Sequence, residues 1–280
     1  MRIRLLHQTT HHFAPPARGI IQALRASPRD HEGQHVADWR IDVDCDCRLT
    51  QSEDAYGNIV QTFSLDGPVS AVTISVEGEI DTFDTAGVVR GAAEKFPLDL
   101  YLRETALTRP DAAIRAFAAR ATDGAQGPLD ALHRLMATIH RDIAYARSAP
   151  DSQPVGAAAC LAAGAGDTRD IAHLYAACAR ALGHPARVAA GYHVDTGEAG
   201  LAQQRMWAEA YAGDIGWVAF DPAADLCPTE TYVRVAAGLD WLDVAPARGA
   251  QASGALSETR HDLRLGGGAG GGTGQSQSQG

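Results

Sequence analysis

From residue 2 to about 85, apolar and polar positions alternate. Trp39, Ile41, Val43, Cys45, Cys47 and Leu49 are interleaved with Arg40, Asp42, Asp44, Asp46 and Arg48. This period of two predicts a half-buried strand with one apolar and one charged face. Ile59–Leu65 follows a Tyr56-Gly57-Asn58 turn, Asp66-Gly67-Pro68 makes the next turn, and Val72, Ile74 and Val76 alternate again. The pattern predicts an antiparallel β unit.

Near residue 100 the period changes. Thr108 can cap a helix entered through Pro110 and Asp111, with Ile114, Phe117 and Ala121 on one face. Pro128 opens a second helix carrying Leu129, Leu132, Leu135, Met136, Ile139 and Ile143. A third runs from Thr168, read as its N-cap, to Leu182 and stops at Gly183. β-like runs follow at Arg187–Val194, Arg205–Ala212, Trp217–Phe220 and Tyr232–Ala236. Helices followed by antiparallel strands describe an α+β fold. The expected organisation is an N-terminal β domain over residues 1–105 and an α+β domain over 106–249. Residues 250–280 are expected to hold one last strand, Leu256–Leu265, and a flexible Gly/Ser/Gln tail.

Composition narrows the function classes. The 280 residues are 45% hydrophobic and 21% charged, with a formal net charge of -10, as expected of a globular protein and not of a broad nucleic-acid-binding surface. The longest uncharged stretch before the tail, Ser152–Gly166, is shorter than the ~20 residues of a membrane span. Five cysteines, odd in number and without a C-x-x-C pair, point to a reducing compartment, and the N-terminus lacks a signal-peptide h-region, so a cytoplasmic location is expected.

Three motifs imitate chemistry. His31-Glu32-Gly33-Gln34-His35 matches a zinc-binding H-E-x-x-H, but Pro28 and Gly33 argue against the helix it requires, so a loop is expected. Asp42, Asp44 and Asp46 lack the glycine of a calcium loop and read as one solvated strand face. His11-His12 has no partner at ligand spacing. Neither a metal nor a cofactor is expected.

Gly166-Asp167-Thr168-Arg169-Asp170-Ile171-Ala172-His173 opens a helix. It is followed in order by Gly191-Tyr192, Trp207-Ala208-Glu209-Ala210-Tyr211 and Gly216-Trp217-Val218-Ala219-Phe220-Asp221-Pro222. This series resembles the bacterial transglutaminase-like family. Leu24-Arg25-Ala26-Ser27-Pro28-Arg29-Asp30 and Asp54-Ala55-Tyr56-Gly57-Asn58 resemble that family's N-terminal β domain, and Cys227-Pro228-Thr229-Glu230 with Val235–Asp240 its closing strand, so the likeness covers about residues 1–249. It implies a papain-like core and thiol chemistry by Cys, His and Asp in that chain order, with the cysteine at a helix start.

In this chain the resemblance puts Thr168 at the cysteine position and Arg205 at the histidine position, and leaves only Asp221 of the three. A threonine hydroxyl needs a base, and a guanidinium keeps its proton. His173 lies about 140° around the helix from Thr168, and Cys178 falls on the apolar stripe. Asp170, Trp207 and His193 are candidates to line the cleft. The expectation is a pseudoenzyme that binds a peptide or an anion, or that scaffolds partners; the resemblance suggests amide-forming ligases of ATP-grasp type. The alternatives are an active amidohydrolase, peptidase or acyltransferase with a noncanonical residue set, and a purely structural subunit whose cleft is filled. A buried Asp221 without its histidine needs a cation, so a direct Arg205–Asp221 pair is expected, two-pronged where the strands allow; the alternative is that Arg205 points to solvent and Asp221 only caps a turn. Spare donors beside the helix N-terminus would then face the cleft.

Overall fold

The computed structural model describes residues 1–149, 152–195 and 201–265. Its N-terminal portion is built from β1 (Arg2–Ala17), β2 (Ile20–Ser27), β3 (Gln34–Val43), β4 (Thr50–Glu53), β5 (Ile59–Leu65) and β6 (Val69–Thr82), with a short β7 (Val88–Val89) leading out. Alternation buries one face of each long strand. Phe13, Ile20, Leu24, Ile41, Phe63 and Ile74 meet as a single core between two antiparallel sheets. The expected strand over 39–49 ends earlier, at Val43. Asp42, Asp44 and Asp46 are all exposed, as the alternation predicts, and the Asp44 carboxylate accepts from the Thr73 backbone N–H of β6 at 2.8 Å.

The helical part comprises α1 (Ala112–Ala121), α2 (Pro128–Asp142), β8 (Ala144–Tyr145), α3 (Ala157–Ala163), β9 (Ala165–Gly166) and α4 (Thr168–Ala181). Asp111 caps α1, accepting from Ile114 N–H at 2.8 Å. The expected cap, Thr108, is instead buried and accepts from the Arg180 guanidinium at 2.6 Å. α4 is buried almost all round, which its run of alanines permits, and carries the main core together with Ile114, Leu135, Val188, Ala208 and Phe220.

β10 (Ala186–Val194), β11 (Ala202–Tyr211), β12 (Trp217–Phe220) and β13 (Tyr232–Gly238) form an antiparallel sheet in the order β13-β10-β11-β12-β7. After the single turn α5 (Trp241–Val244), the chain returns to the N-terminal portion. β14 (Ala247–Ala250) pairs with β2, and β15 (Leu256–Leu265) runs along β1. The expected last strand is therefore an edge of the N-terminal sheet, while the expected flexible tail, 266–280, lies outside the described residues. No helix among the described residues is long and apolar enough to cross a membrane.

Two side-chain amides dock the N-terminal portion on β13. Gln34 accepts from Arg234 N–H at 2.8 Å and donates to Arg234 C=O at 2.9 Å. Asn58 does the same with Ala237, at 2.8 and 2.9 Å. Each amide stands in for a strand residue on the sheet's outer edge. Asn58 is held for this by Asp54, which accepts from its backbone and side-chain N–H groups at 3.0 Å.

Candidate functional site

The site begins at the start of α4. Asp167, and not Thr168, is the N-cap: its Oδ1 accepts from Arg169 N–H at 2.8 Å and from Asp170 N–H at 3.2 Å, and its Oδ2 accepts from the Arg169 guanidinium. Burial works against the Asp167 charge, but Arg169 and the two N–H groups outweigh it and lower the carboxyl's pKa. The helix end is thus already occupied by a carboxylate, which removes it as a free anion site. Thr168 is the first helical residue, with Met206 N–H at 3.5 Å as the described partner of its hydroxyl.

Arg205 and Asp221 come together on the sheet. β11 and β12 pair Ala208 with Phe220, which turns odd-numbered β11 residues and Asp221 to the same face. Asp221 Oδ2 accepts from Arg205 Nε and from the Tyr232 hydroxyl, the latter at 2.8 Å, while Oδ1 accepts from Ala223 N–H at 3.1 Å. The pair is single-pronged: Arg205 reaches Oδ2 through Nε, Tyr232 shares that oxygen, and Ala223 N–H holds Oδ1. The carboxylate is 1% exposed and the Arg205 side chain 8%. Burial opposes the Arg205 charge, but Asp221 more than compensates and raises its pKa. Arg205 stays charged and is no base.

Around this pair lies a cleft of about 350 Å³, bordered by Thr168, Arg205, the 145–149 segment, Trp241 and the N-terminal layer. Its wall carries four arginines and one carboxylate, Asp167. Arg25 pairs with Asp54 at 3.0 Å, Arg169 with Asp167, and Arg205 with Asp221. Arg147 is exposed and has no partner among the described residues. His7 also borders the cleft; its Nδ1 lies 3.0 Å from Tyr192 Oη and its Nε2 3.3 Å from Thr9 Oγ1.

The other expected cleft residues point elsewhere. Asp170 Oδ1 accepts from Val155 and Gly156 N–H at 2.7 and 3.2 Å and so ties down the start of α3. Trp207 is buried edge-on against Tyr232 at 5.4 Å. His193 shares that face, 4.6 Å from the Tyr232 ring, and burial together with the Arg205 charge lowers its pKa. None of the three is part of the cleft wall. Trp207 and His193 share the sheet face of Arg205 but pack against Tyr232, and Asp170 turns toward α3, so motif proximity did not show which of them reach the cleft.

The histidine and cysteines nearest this region are buried or half-buried, and the histidine is engaged. His173 Nε2 accepts from Trp241 N–H at 3.0 Å, and burial pushes its pKa down to about 3. Burial pushes the Cys160 thiol up to about 12, the Cys227 thiol up to about 11, and Cys178 higher still. His31 sits in a turn before β3, and no metal-holding cluster occurs among the described residues.

Two features escaped the sequence reading. One is Tyr232 as a partner of Asp221. The other is a buried network in which Glu209 accepts from Arg187 and Arg234, each at 2.6 Å, while Arg187 stacks 4.0 Å over the Trp217 ring. A lone Glu in the apolar run Met206–Ala210 was the available signal for the second.

A family model described as "Transglutaminase-like superfamily" matches residues 115–222, and one described as "Bacterial transglutaminase-like N-terminal region" matches residues 3–81. An uncharacterized protein of Mycobacterium leprae (strain TN) is 26% identical over 268 residues, covering 89% of this chain and 92% of that one. One from Mycobacterium tuberculosis (strain H37Rv) is 26% identical over 278 residues, covering 89% and 87%. Among solved structures, a "Putative Cysteine Protease from Cytophaga hutchinsonii" superposes with a TM-score of 0.74 at 19% identity, over 95% of this chain and 90% of that one. That likeness establishes the shared fold.

Proposed function

The chain belongs to the transglutaminase-like superfamily, and we propose that it is a member that has lost thiol catalysis and kept its cleft as a binding site for a peptide or an anion. In this reading Thr168, Arg205 and Asp221 stand where the family holds its cysteine, histidine and aspartate. The observation that carries it is the buried Arg205–Asp221 pair. The residue in the base's place is a permanent cation, already committed to the carboxylate that would have oriented an imidazole. Among the described residues Thr168 has a backbone N–H against its hydroxyl and no base placed to remove its proton. The protein's five cysteines are free thiols, in keeping with a cytoplasmic location.

Reaction with iodoacetamide at pH 7 tests this reading. The folded protein is expected to label slowly at every cysteine, at rates that do not change in Thr168→Ala. A single thiol that alkylates rapidly and is protected by a peptide substrate would instead mean a noncanonical active enzyme.

A further inference from the structure

β11 has an incomplete second edge. It pairs with β10 from Ala202 to Ala210, but β12 covers only Ala208–Tyr211. The direction of its backbone groups is fixed by their partners. Tyr211 N–H and Leu201 C=O bond on the β10 side, to Pro185 C=O and Asp195 N–H, so odd residues point that way. Even residues point to the other edge, where Ala212 N–H bonds Gly216 C=O and Met206 N–H meets the Thr168 hydroxyl. The N–H and C=O groups of Ala202 and Gln204 therefore face an edge that no strand covers among the described residues. Gln203 and Gln204 are exposed there, and Ala202–Met206 all border the arginine-lined cleft.

We propose that this edge takes an extended acidic peptide, which adds to β11 at Ala202–Gln204 and gives a carboxylate to Arg147 and Arg205; the inference deepens the binding role proposed above and rests on it. Backbone donors and acceptors repeating every second residue match another strand, and a free anion would use only one of them. The charge follows from the cleft wall. Arg147 has no partner among the described residues, and Arg205, which meets Asp221 through Nε and lies beside the Tyr232 hydroxyl, still borders the cleft with its positive charge. Tyr145, half exposed on the cleft rim, offers an apolar flank to the peptide's neighbouring side chains.

The test uses fluorescein-labelled, end-capped heptapeptide pools with a central Glu and randomised flanks, and fluorescence anisotropy at low salt. The Glu pool is expected to bind saturably, and the matched Gln pool about tenfold more weakly. Arg147→Ala, at an exposed position, should bring the Glu pool down to the Gln level without changing the melting temperature. N-methylation of alternate peptide amides should abolish binding in one frame and spare it in the other, because only one edge of the peptide faces β11. Equal binding of the two pools, insensitivity to both N-methyl frames, or binding of glutarate with no binding of the peptides would overturn the proposal. Cleavage of the bound pool would overturn the non-catalytic reading while leaving the docking mode standing, so the two failures are distinguishable.

Discussion

Asp221 is a fully buried carboxylate whose charge is matched by one cation, Arg205, and whose other acceptor sites go to Tyr232 and Ala223. Removing the cation leaves the carboxylate buried with two neutral donors. Arg205→Ala should therefore cost about 3 kcal/mol in urea-unfolding stability, whereas Arg147→Ala at the rim should stay within about 0.5 kcal/mol of the parent. An unchanged unfolding midpoint in Arg205→Ala would contradict the pairing argument. The Arg205–Asp221 contact was legible through the family resemblance, which implied neighbouring positions for two residues 16 apart in sequence; charge pairing then followed from burial. Tyr232 was not legible. Its run Tyr232–Ala236 reads only as an apolar strand, and the register that points its hydroxyl at Asp221 is shifted by an irregularity between β10 and β13.

Among the elements, α4 and β13 position the site. Asp167 accepts two N–H groups at the start of α4 and also holds Arg169, so Asp167→Ala should lower the melting temperature by the equivalent of about 1–2 kcal/mol. Thr168→Ala, at a position that is not the cap, should cost clearly less, and the reverse order in thermal melts would restore Thr168 as the cap. The sequence reading chose Thr168 where the structure has Asp167, since Asp and Thr are both good caps and stand side by side. β13 depends on Asn58 to satisfy the buried N–H and C=O of Ala237. Asn58→Leu should cost about 2–3 kcal/mol and speed hydrogen exchange at Ala237 in particular. The Tyr56-Gly57-Asn58 turn was visible in the sequence, but its partner 179 residues away was not. α3 was missed for another reason: Val155–Gly166 is so rich in Ala and Gly that it carries no period of either kind.

For the whole molecule, burial sets the response to acid. It pushes His7 and His31 down to about 4 and His173 down to about 3, while an unfolded chain's histidines titrate near about 6.5. Below that pH the unfolded state takes up protons that the folded state refuses, so stability is lost as pH falls toward the folded values. The slope is roughly 1.4 kcal/mol per pH unit for each such proton. Glu209 acts in a lower window. Burial raises its pKa, but Arg234 and Arg187 outweigh that and hold it at about 2, so its contribution is lost only as pH falls from its ordinary carboxylate range toward that value. Urea midpoints should therefore drop between pH 6.5 and 5, ahead of any carboxylate titration, and a flat profile over that interval would show that these histidines are not held neutral. The return of β14 and β15 to the N-terminal sheets belongs to this scale as well. Leu256–Leu265 was expected as a strand, but without a partner, because pairing across more than two hundred residues leaves no local trace.

The central claim, that a transglutaminase-like scaffold persists here without its reaction, is tested most directly by amide turnover. The measurement follows release of amine from fluorogenic peptide pools by the unmodified protein, by Thr168→Cys, by Arg205→His, and by the double variant. Nucleophile and base act as a unit, so the expected result is no turnover by the parent or by either single variant, and thiol-dependent turnover only in the double variant. Turnover by the unmodified protein that survives Thr168→Ala would contradict the account.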